Sequence, residues 1–145
     1  MKELGSYLEQ EVLVKGWVYR IRRLSQVTFL ILRDRTGMVQ VVVDPDLIAD
    51  VHLTTESVVK IQGSVKPEPR SRVGYELVAG RIEVLSLAEN LPININGAEL
   101  NVPLDIALDN RVLSLRHTKI NPIFKIQAAL VQAFQDFQLT SFSGF

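Results

Sequence analysis

Short runs of alternating apolar and polar residues dominate the first 90 positions of the chain. Val12, Val14 and Val18 recur at every second or fourth position, which is the pattern of a strand with one face in a core. Similar runs follow at residues 27–33, 38–43, 57–66 and 75–86. The pattern therefore predicts five strands.

The segments between these strands indicate how they are connected. "DRTG", residues 34–37, has the Asp and Gly that suit a tight turn, so the second and third strands should form a hairpin. "DPDLIADVHL", residues 44–53, interrupts the alternation with Pro45 and is long enough for a helical turn or two. Five strands with a helical insert between the third and fourth predict an OB-fold barrel. A five-stranded barrel of the SH3 type is the alternative.

The pattern changes after residue 89. Residues 90–118 are rich in Pro and Asn and are predicted to form a hinge or linker after the barrel at residues 1–89. Residues 119–145 are predicted to be an α-helix that Asn121 caps. Its apolar residues recur at helical spacing: Ile123, Ile126, Leu130, Phe134 and Phe137. This stripe requires a partner, which could be a further domain, the barrel or a second copy. The overall prediction is an all-β barrel, a linker and a C-terminal α-helix.

Composition narrows the function classes. The chain has 145 residues, of which 47% are hydrophobic and 22% charged, enough for one folded domain with an appended element. It has no cysteine, which excludes disulfides and thiolate sites and fits the cytoplasm. No apolar run is long enough to suggest a membrane span. Because the formal net charge is zero, any binding to nucleic acid must come from a local basic patch.

The sequence offers little catalytic material. His52 and His117 are far apart, and neither lies in a nucleophile or metal-ligand motif. The acidic pairs at 44/46 and 105/109 lie where turn formers are expected. No catalytic residue, metal site or cofactor is predicted for this chain.

The arginines concentrate in "GWVYRIRRLSQVTFLILRDRTGMVQVVV", residues 16–43. Arg20 and Arg22 have equal parity on one strand and should share a face, with Phe29 beside them if it points outward. Arginine contacts phosphates and bases, an exposed ring stacks on bases, and the Gln40 amide could pair with a base edge. The alternative is that Phe29 belongs to the core and the polar residues only solubilise the barrel.

Several motifs favour the binding interpretation. "GWVYRIRRL", "LRDRTGMVQ", "LDNRVLSLR" and "IFKIQ" occur in this order, and the chain resembles the N-terminal region of class II aspartyl-tRNA synthetases, in the subgroup with the asparaginyl and lysyl enzymes. The resemblance implies that the barrel binds the tRNA anticodon. Phe29 would stack on the central anticodon base and Gln40 would hydrogen-bond to it, while Arg20 and Arg22 would contact bases or backbone.

The same resemblance assigns the outer anticodon positions. It implies that Glu83 reads the first anticodon base. It places Arg70, Arg72 and Tyr19 where the third base would be discriminated. Because aspartate and asparagine anticodons share their first two bases, the expected partner is the anticodon loop of tRNA(Asp) or of tRNA(Asn).

The family's class II signature motifs follow the segment that "IFKIQ" begins, whereas this chain ends in "SFSGF". We therefore expect that the chain alone activates no amino acid. The resemblance implies a longer parent protein, a homodimeric aspartate–tRNA ligase that uses ATP and Mg. Three alternatives stay open: a sequence-tolerant single-strand-binding OB module, an asparaginyl-tRNA synthetase domain, and an interaction fragment whose helix dimerises or docks on a synthetase.

Overall fold

The computed structural model describes residues 1–142, with side chains through residue 139. Its strands are β1 (Glu11–Arg23), β2 (Thr28–Arg33), β3 (Met38–Val43), β4 (Val58–Pro67) and β5 (Tyr75–Ser86). One 3-10 helix, Leu4–Tyr7, precedes β1, and another, Pro45–Ile48, lies between β3 and β4. Three α-helices follow the strands: α1 (Leu104–Asp109), α2 (Arg111–Ser114) and α3 (Asn121–Phe142).

The five strands form a closed barrel in the order β1-β2-β3-β5-β4. All neighbours are antiparallel except β3 and β5, which are parallel. Closure leaves no strand edge exposed, so each strand has one face in the core and one face outside. The predicted five-stranded barrel, helical insert and C-terminal helix are confirmed.

The core consists of the aliphatic residues that alternate along the strands. In β2, Leu30 and Leu32 are fully buried, and in β3, Val39, Val41 and Val43 point the same way. Burying one such side chain contributes about 1.5–3 kcal/mol. These positions fix the facing of the strands, so Phe29 and Gln40, one position away, belong to the outer face.

A β-bulge changes the facing of β1. Val18 pairs with Leu32 whereas Arg20 pairs with Ile31, so Tyr19 is an extra residue in β1. Val18 and Tyr19 are both buried. If β1 alternated regularly from Val18, Arg20 and the arginine two positions later would lie on the same face as Val18 and would point into the core. The bulge therefore turns both arginines outward.

Two charged residues pack beside the bulge. The Arg33 guanidinium carbon lies 5.4 Å from the centroid of the Tyr19 ring. Arg33 Nη2 donates to both carboxylate oxygens of Glu56, at 3.0 and 2.8 Å. The Glu56 backbone N–H donates to the Val18 carbonyl, at 2.7 Å. The segment before β4 is thereby held against the bulged part of β1.

The predicted turn between β2 and β3 is organised by Asp34. Its carboxylate accepts hydrogen bonds from the Met1 ammonium, the Thr36 hydroxyl and the backbone N–H groups of Thr36 and Gly37, at 2.7–2.9 Å. Partial burial raises the pKa of Asp34, but these hydrogen bonds outweigh it and hold the pKa at about 2. The turn is thus stabilised by an ionised carboxylate.

The chain divides into two compact units, Met1–Leu91 and a second that begins at Pro92. Within the second unit, the segment predicted to be a linker contains α1 and α2. Every α3 side chain through residue 139 is exposed, including the predicted apolar stripe. The predicted helical segment ends at residue 145, and residues 143–145 lie outside the described part of the chain. Among the described residues, no helix has the length and apolar character needed to cross a membrane.

Candidate nucleic-acid interface

An open pocket of about 550 Å³ lies on the outer face of the barrel. β1, β2, β3 and β5 contribute to it, together with the loop between β4 and β5. The residues that line it are Arg20, Arg22, Phe29, Ile31, Gln40, Val42, Glu68, Arg70, Ser71 and Glu76. Five of the eight residues singled out from the sequence are among them.

Strand pairing places the central residues side by side. Arg22 pairs with Phe29 across β1 and β2, and Phe29 pairs with Val42 across β2 and β3. One rung away, Ile31 pairs with Arg20 on one side and with Gln40 on the other. A half-buried aromatic ring is thus flanked by arginines on one strand and by an amide on the other. The structure excludes the alternative that Phe29 is a core residue.

The Gln40 amide has a defined neighbour. Its Nε2 donates to Glu76 Oε2, at 2.9 Å. The contact follows from the parallel pairing of β3 with β5, in which Val41 lies opposite Leu77, so that the residues just before them are also neighbours. The wall of the pocket at β3 and β5 is therefore polar and hydrogen-bonded.

The loop between β4 and β5 brings a further cation to the rim. The Glu68 N–H donates to the Gly74 carbonyl, at 3.0 Å, and Gly74 has a φ of 80° that suits glycine. The Glu68 carboxylate accepts from the backbone N–H and the Nε of Arg70, at 3.0 and 3.4 Å. The Arg70 side chain is 94% exposed. It can therefore move toward a bound ligand at little cost.

The remaining three predicted residues lie outside the pocket lining. Tyr19 is buried at the bulge, with 8% of its surface exposed. Arg72 is an exposed residue of the β4–β5 loop. Glu83 lies on β5, where its carboxylate accepts from Lys60 Nζ at 2.7 Å, and this hydrogen bond holds the pKa of Glu83 below its usual value. The roles that the resemblance implies for these three residues stay predictions.

Sequence reasoning missed the other half of the lining. Ile31 and Val42 could have been found, because they share the parity of Phe29 and Gln40 on their strands. Glu76 could not, since its position depends on the non-local pairing of β3 with β5.

The pocket combines three arginines with two carboxylates, Glu68 and Glu76. Arginines suit phosphates, whereas carboxylates accept from base amino and imino groups, so this mixture suits a nucleic acid better than a simple anion. In residues 1–142, no three His, Asp or Glu side chains are grouped closely enough to hold a metal ion.

Comparison with known proteins agrees with this geometry. Residues 12–85 match the family model described as tRNA anti-codon, OB-fold nucleic acid binding domain. The asparagine–tRNA ligase of Desulforamulus reducens is 35% identical over 142 residues, which cover 94% of this chain and 32% of that protein. The aspartate–tRNA(Asp) ligase of Thermococcus kodakarensis is 38% identical over 135 residues, which cover 88% of this chain and 31% of that protein.

A solved structure shows the same similarity. The asparaginyl-tRNA synthetase from Pyrococcus horikoshii, complexed with asparaginyl-adenylate, superposes with a TM-score of 0.78 at 29% identity and covers 94% of this chain and 32% of that one. The chain thus spans about a third of the length of the relatives it matches. It belongs to the tRNA anticodon family of OB-fold nucleic acid binding domains, and it corresponds to the N-terminal anticodon-binding region of aspartate– and asparagine–tRNA ligases.

Proposed function

We propose that the pocket on the outer face of the barrel binds the anticodon loop of tRNA(Asp) or tRNA(Asn). One observation carries the proposal: the bulge in β1 and the strand pairing bring cations, an aromatic ring and an amide together on one surface. The residues concerned are Arg20, Arg22, Phe29, Gln40 and Arg70. This combination is what an unstacked base and its phosphates require.

Each group has a distinct task in this proposal. The Phe29 ring stacks on the central anticodon base, a contact worth about 1–3 kcal/mol in single-strand recognition. Arg20 and Arg22 contact phosphates or bases on one side of the ring, and Gln40 hydrogen-bonds to the base edge on the other. Arg70, an exposed residue of the β4–β5 loop at the rim of the pocket, contacts the third base or its phosphate.

We further propose that the chain belongs to a longer aspartate– or asparagine–tRNA ligase. Its relatives of both kinds are about three times as long, which supports a role as the anticodon-binding part of such an enzyme. Aminoacylation, its ATP and Mg, and the dimer of the family would then belong to the rest of the parent protein. Glu83, which pairs with Lys60, would contact the first anticodon base, and Arg72 would contact the third. Substitutions of these residues are the next test of these assignments.

The proposal is tested by titrating the chain with anticodon stem-loops at two salt concentrations. The loops carry C or U at the third position, and a scrambled loop is the control. Preference for C indicates a discriminating aspartyl protein, preference for U an asparaginyl one, and equal binding a relaxed one. If all three loops bind equally, the anticodon proposal is wrong and a sequence-tolerant single-strand module replaces it.

The site is tested with Phe29→Ala. Since Phe29 is on the outer face, we expect the barrel to stay folded and the affinity for the anticodon loop to fall by at least about tenfold. Leu13→Ala is the matched control, because Leu13 is an apolar residue on the outside of the barrel that lies outside the pocket. Unchanged binding by Phe29→Ala would place the site elsewhere.

A further inference from the structure

We propose that Glu76 is a positioning residue that fixes the orientation of the Gln40 amide and so makes the pocket select uracil over cytosine. This inference rests on the proposed function and adds to it a residue that the sequence motifs do not identify. It starts from one contact, the hydrogen bond of 2.9 Å between Gln40 Nε2 and Glu76 Oε2.

The chemistry of the two groups determines which way the amide faces. An ionised carboxylate has only acceptors, whereas a Gln side chain has an acceptor oxygen on one side and an NH₂ group on the other. Gln40 must therefore turn its NH₂ group toward Glu76. A reversed amide would bring its oxygen against the carboxylate, leaving two acceptors face to face and one hydrogen bond unmade.

The backbone keeps the two side chains together. Gln40 and Glu76 lie on adjacent parallel strands inside a closed barrel, one position before the paired residues Val41 and Leu77. Val41 and Leu77 are fully buried, which anchors both strands at this point. On the other side of β5, Lys66 is opposite Glu76 but extends its ammonium to Glu9, at 2.7 Å. The carboxylate thus remains beside the amide.

A fixed amide presents a fixed order of acceptor and donor to a base. Its Oε1 can accept from one base group, and the second N–H of Nε2 can donate to the next. The edge of uracil offers an imino N–H beside a carbonyl oxygen, which matches this order. The same two positions in cytosine hold an unprotonated nitrogen and an amino group, so donors and acceptors are exchanged. A freely rotating amide could match either base by turning over, whereas Gln40 cannot while Glu76 holds it.

The stacked position limits how the base could adapt. Stacking on the Phe29 ring and contacts from Arg20 and Arg22, which line the same pocket, would restrict the position of the base relative to Gln40. The discrimination between uracil and cytosine therefore depends on the orientation of the Gln40 amide. Glu76 contributes to this discrimination by orienting Gln40 and does not need to contact the base itself.

The test measures the affinity of the folded chain for anticodon stem-loops with U or C at the central position. For the unmodified chain we expect the U loop to bind at least about tenfold more tightly. In Glu76→Gln the new amide can donate or accept, so Gln40 can turn over. We expect the preference to fall to about threefold or less, mainly through tighter binding of the C loop.

Glu68→Gln is the matched control. Glu68 is the other carboxylate of the pocket, and it bonds to Arg70 rather than to Gln40. Its replacement removes the same charge and should change the binding of both loops by the same factor, leaving their ratio intact. A loss of preference in both variants would attribute the effect to charge and would overturn the role of Glu76.

Two further outcomes separate this inference from the proposed function. If the unmodified chain binds the anticodon and scrambled loops equally, the proposed function itself fails. If it prefers the anticodon loop with U, and Glu76→Gln keeps the full preference while its unfolding curve is unchanged, only the positioning role of Glu76 is refuted. Preference for C over U in the unmodified chain would also refute it.

Discussion

The ion pair between Arg33 and Glu56 should be a main contributor to the stability of the barrel. Their side chains are only 14% and 3% exposed, and one guanidinium nitrogen donates to both carboxylate oxygens. Glu56→Gln keeps the shape of the side chain and one acceptor oxygen but removes the charge. Arg33 would then be a mostly buried cation that has lost the charge of Glu56.

The expected loss follows from this burial. Removing one partner of a buried ion pair costs about 3–5 kcal/mol, because the remaining charge stays desolvated. Since Gln retains one hydrogen bond to Arg33, we expect a loss just below this range, about 2–3 kcal/mol. For a barrel of this size, that corresponds to a decrease in Tm of roughly 10 °C or more.

Urea unfolding followed by the fluorescence of Trp17 measures this loss. Trp17 is the only tryptophan in the sequence and lies in β1, so its signal reports on the barrel and not on α3. Glu83→Gln is the matched control, because it makes the same change in the exposed ion pair with Lys60 and should leave the midpoint almost unchanged. Equal losses in the two variants would refute the argument from burial.

Three further predictions concern the turn, the pocket and the core. Asp34→Asn should lower the free energy of unfolding by about 1–2 kcal/mol at neutral pH, after allowance for partial solvent exposure. Because folding lowers the pKa of Asp34 from 3.8 to about 2, its contribution is present above pH 3.8 and is lost as the pH falls through about 2. The free energies of unfolding of the unmodified chain and of Asp34→Asn, measured with urea, should therefore converge near pH 2. Arg22→Ala should reduce the slope of log K against log salt concentration for anticodon-loop binding by about 0.7 if Arg22 contacts a phosphate. Arg81→Ala changes an arginine outside the pocket and should leave this slope unchanged. Fluorescence anisotropy measures both slopes. Gly63→Ala should prevent folding of the barrel, since the added Cβ would lie 2.2 Å from a backbone oxygen of β5, whereas Gly80→Ala, with 3.7 Å available, should fold with a normal circular dichroism spectrum.

The strands were predictable because runs of alternating apolar and polar residues are a local pattern in the sequence. In β3 the polar Gln40 between Val39 and Val41 indicates which face points outward. In β2, Phe29 and Ile31 are as apolar as Leu30 and Leu32, so the sequence left the facing of Phe29 open and the alternating burial in the structure decided it. The turn at residues 34–37 was likewise predictable, since its Asp and Gly act on their immediate neighbours.

What could not be predicted depends on pairing between distant strands. The parallel contact of β3 with β5 brings Glu76 to Gln40 across 36 positions of sequence, and no local pattern specifies it. The ion pair of Arg33 with Glu56 likewise joins residues that only barrel closure brings together. Side-chain identity shows that such residues need partners, but the topology decides which partners they find.

The bulge at Tyr19 connects the stability of the barrel to its binding surface. A strand that alternated regularly from Val18 would direct the next two arginines into a core of Leu and Val, which desolvation makes untenable. One extra residue solves this conflict by reversing the facing of the rest of β1, and the extra residue, Tyr19, is itself buried. Arg33 covers that ring and is itself neutralised by Glu56. The position of the arginines in the pocket therefore depends on a buried ion pair that no bound nucleic acid needs to touch.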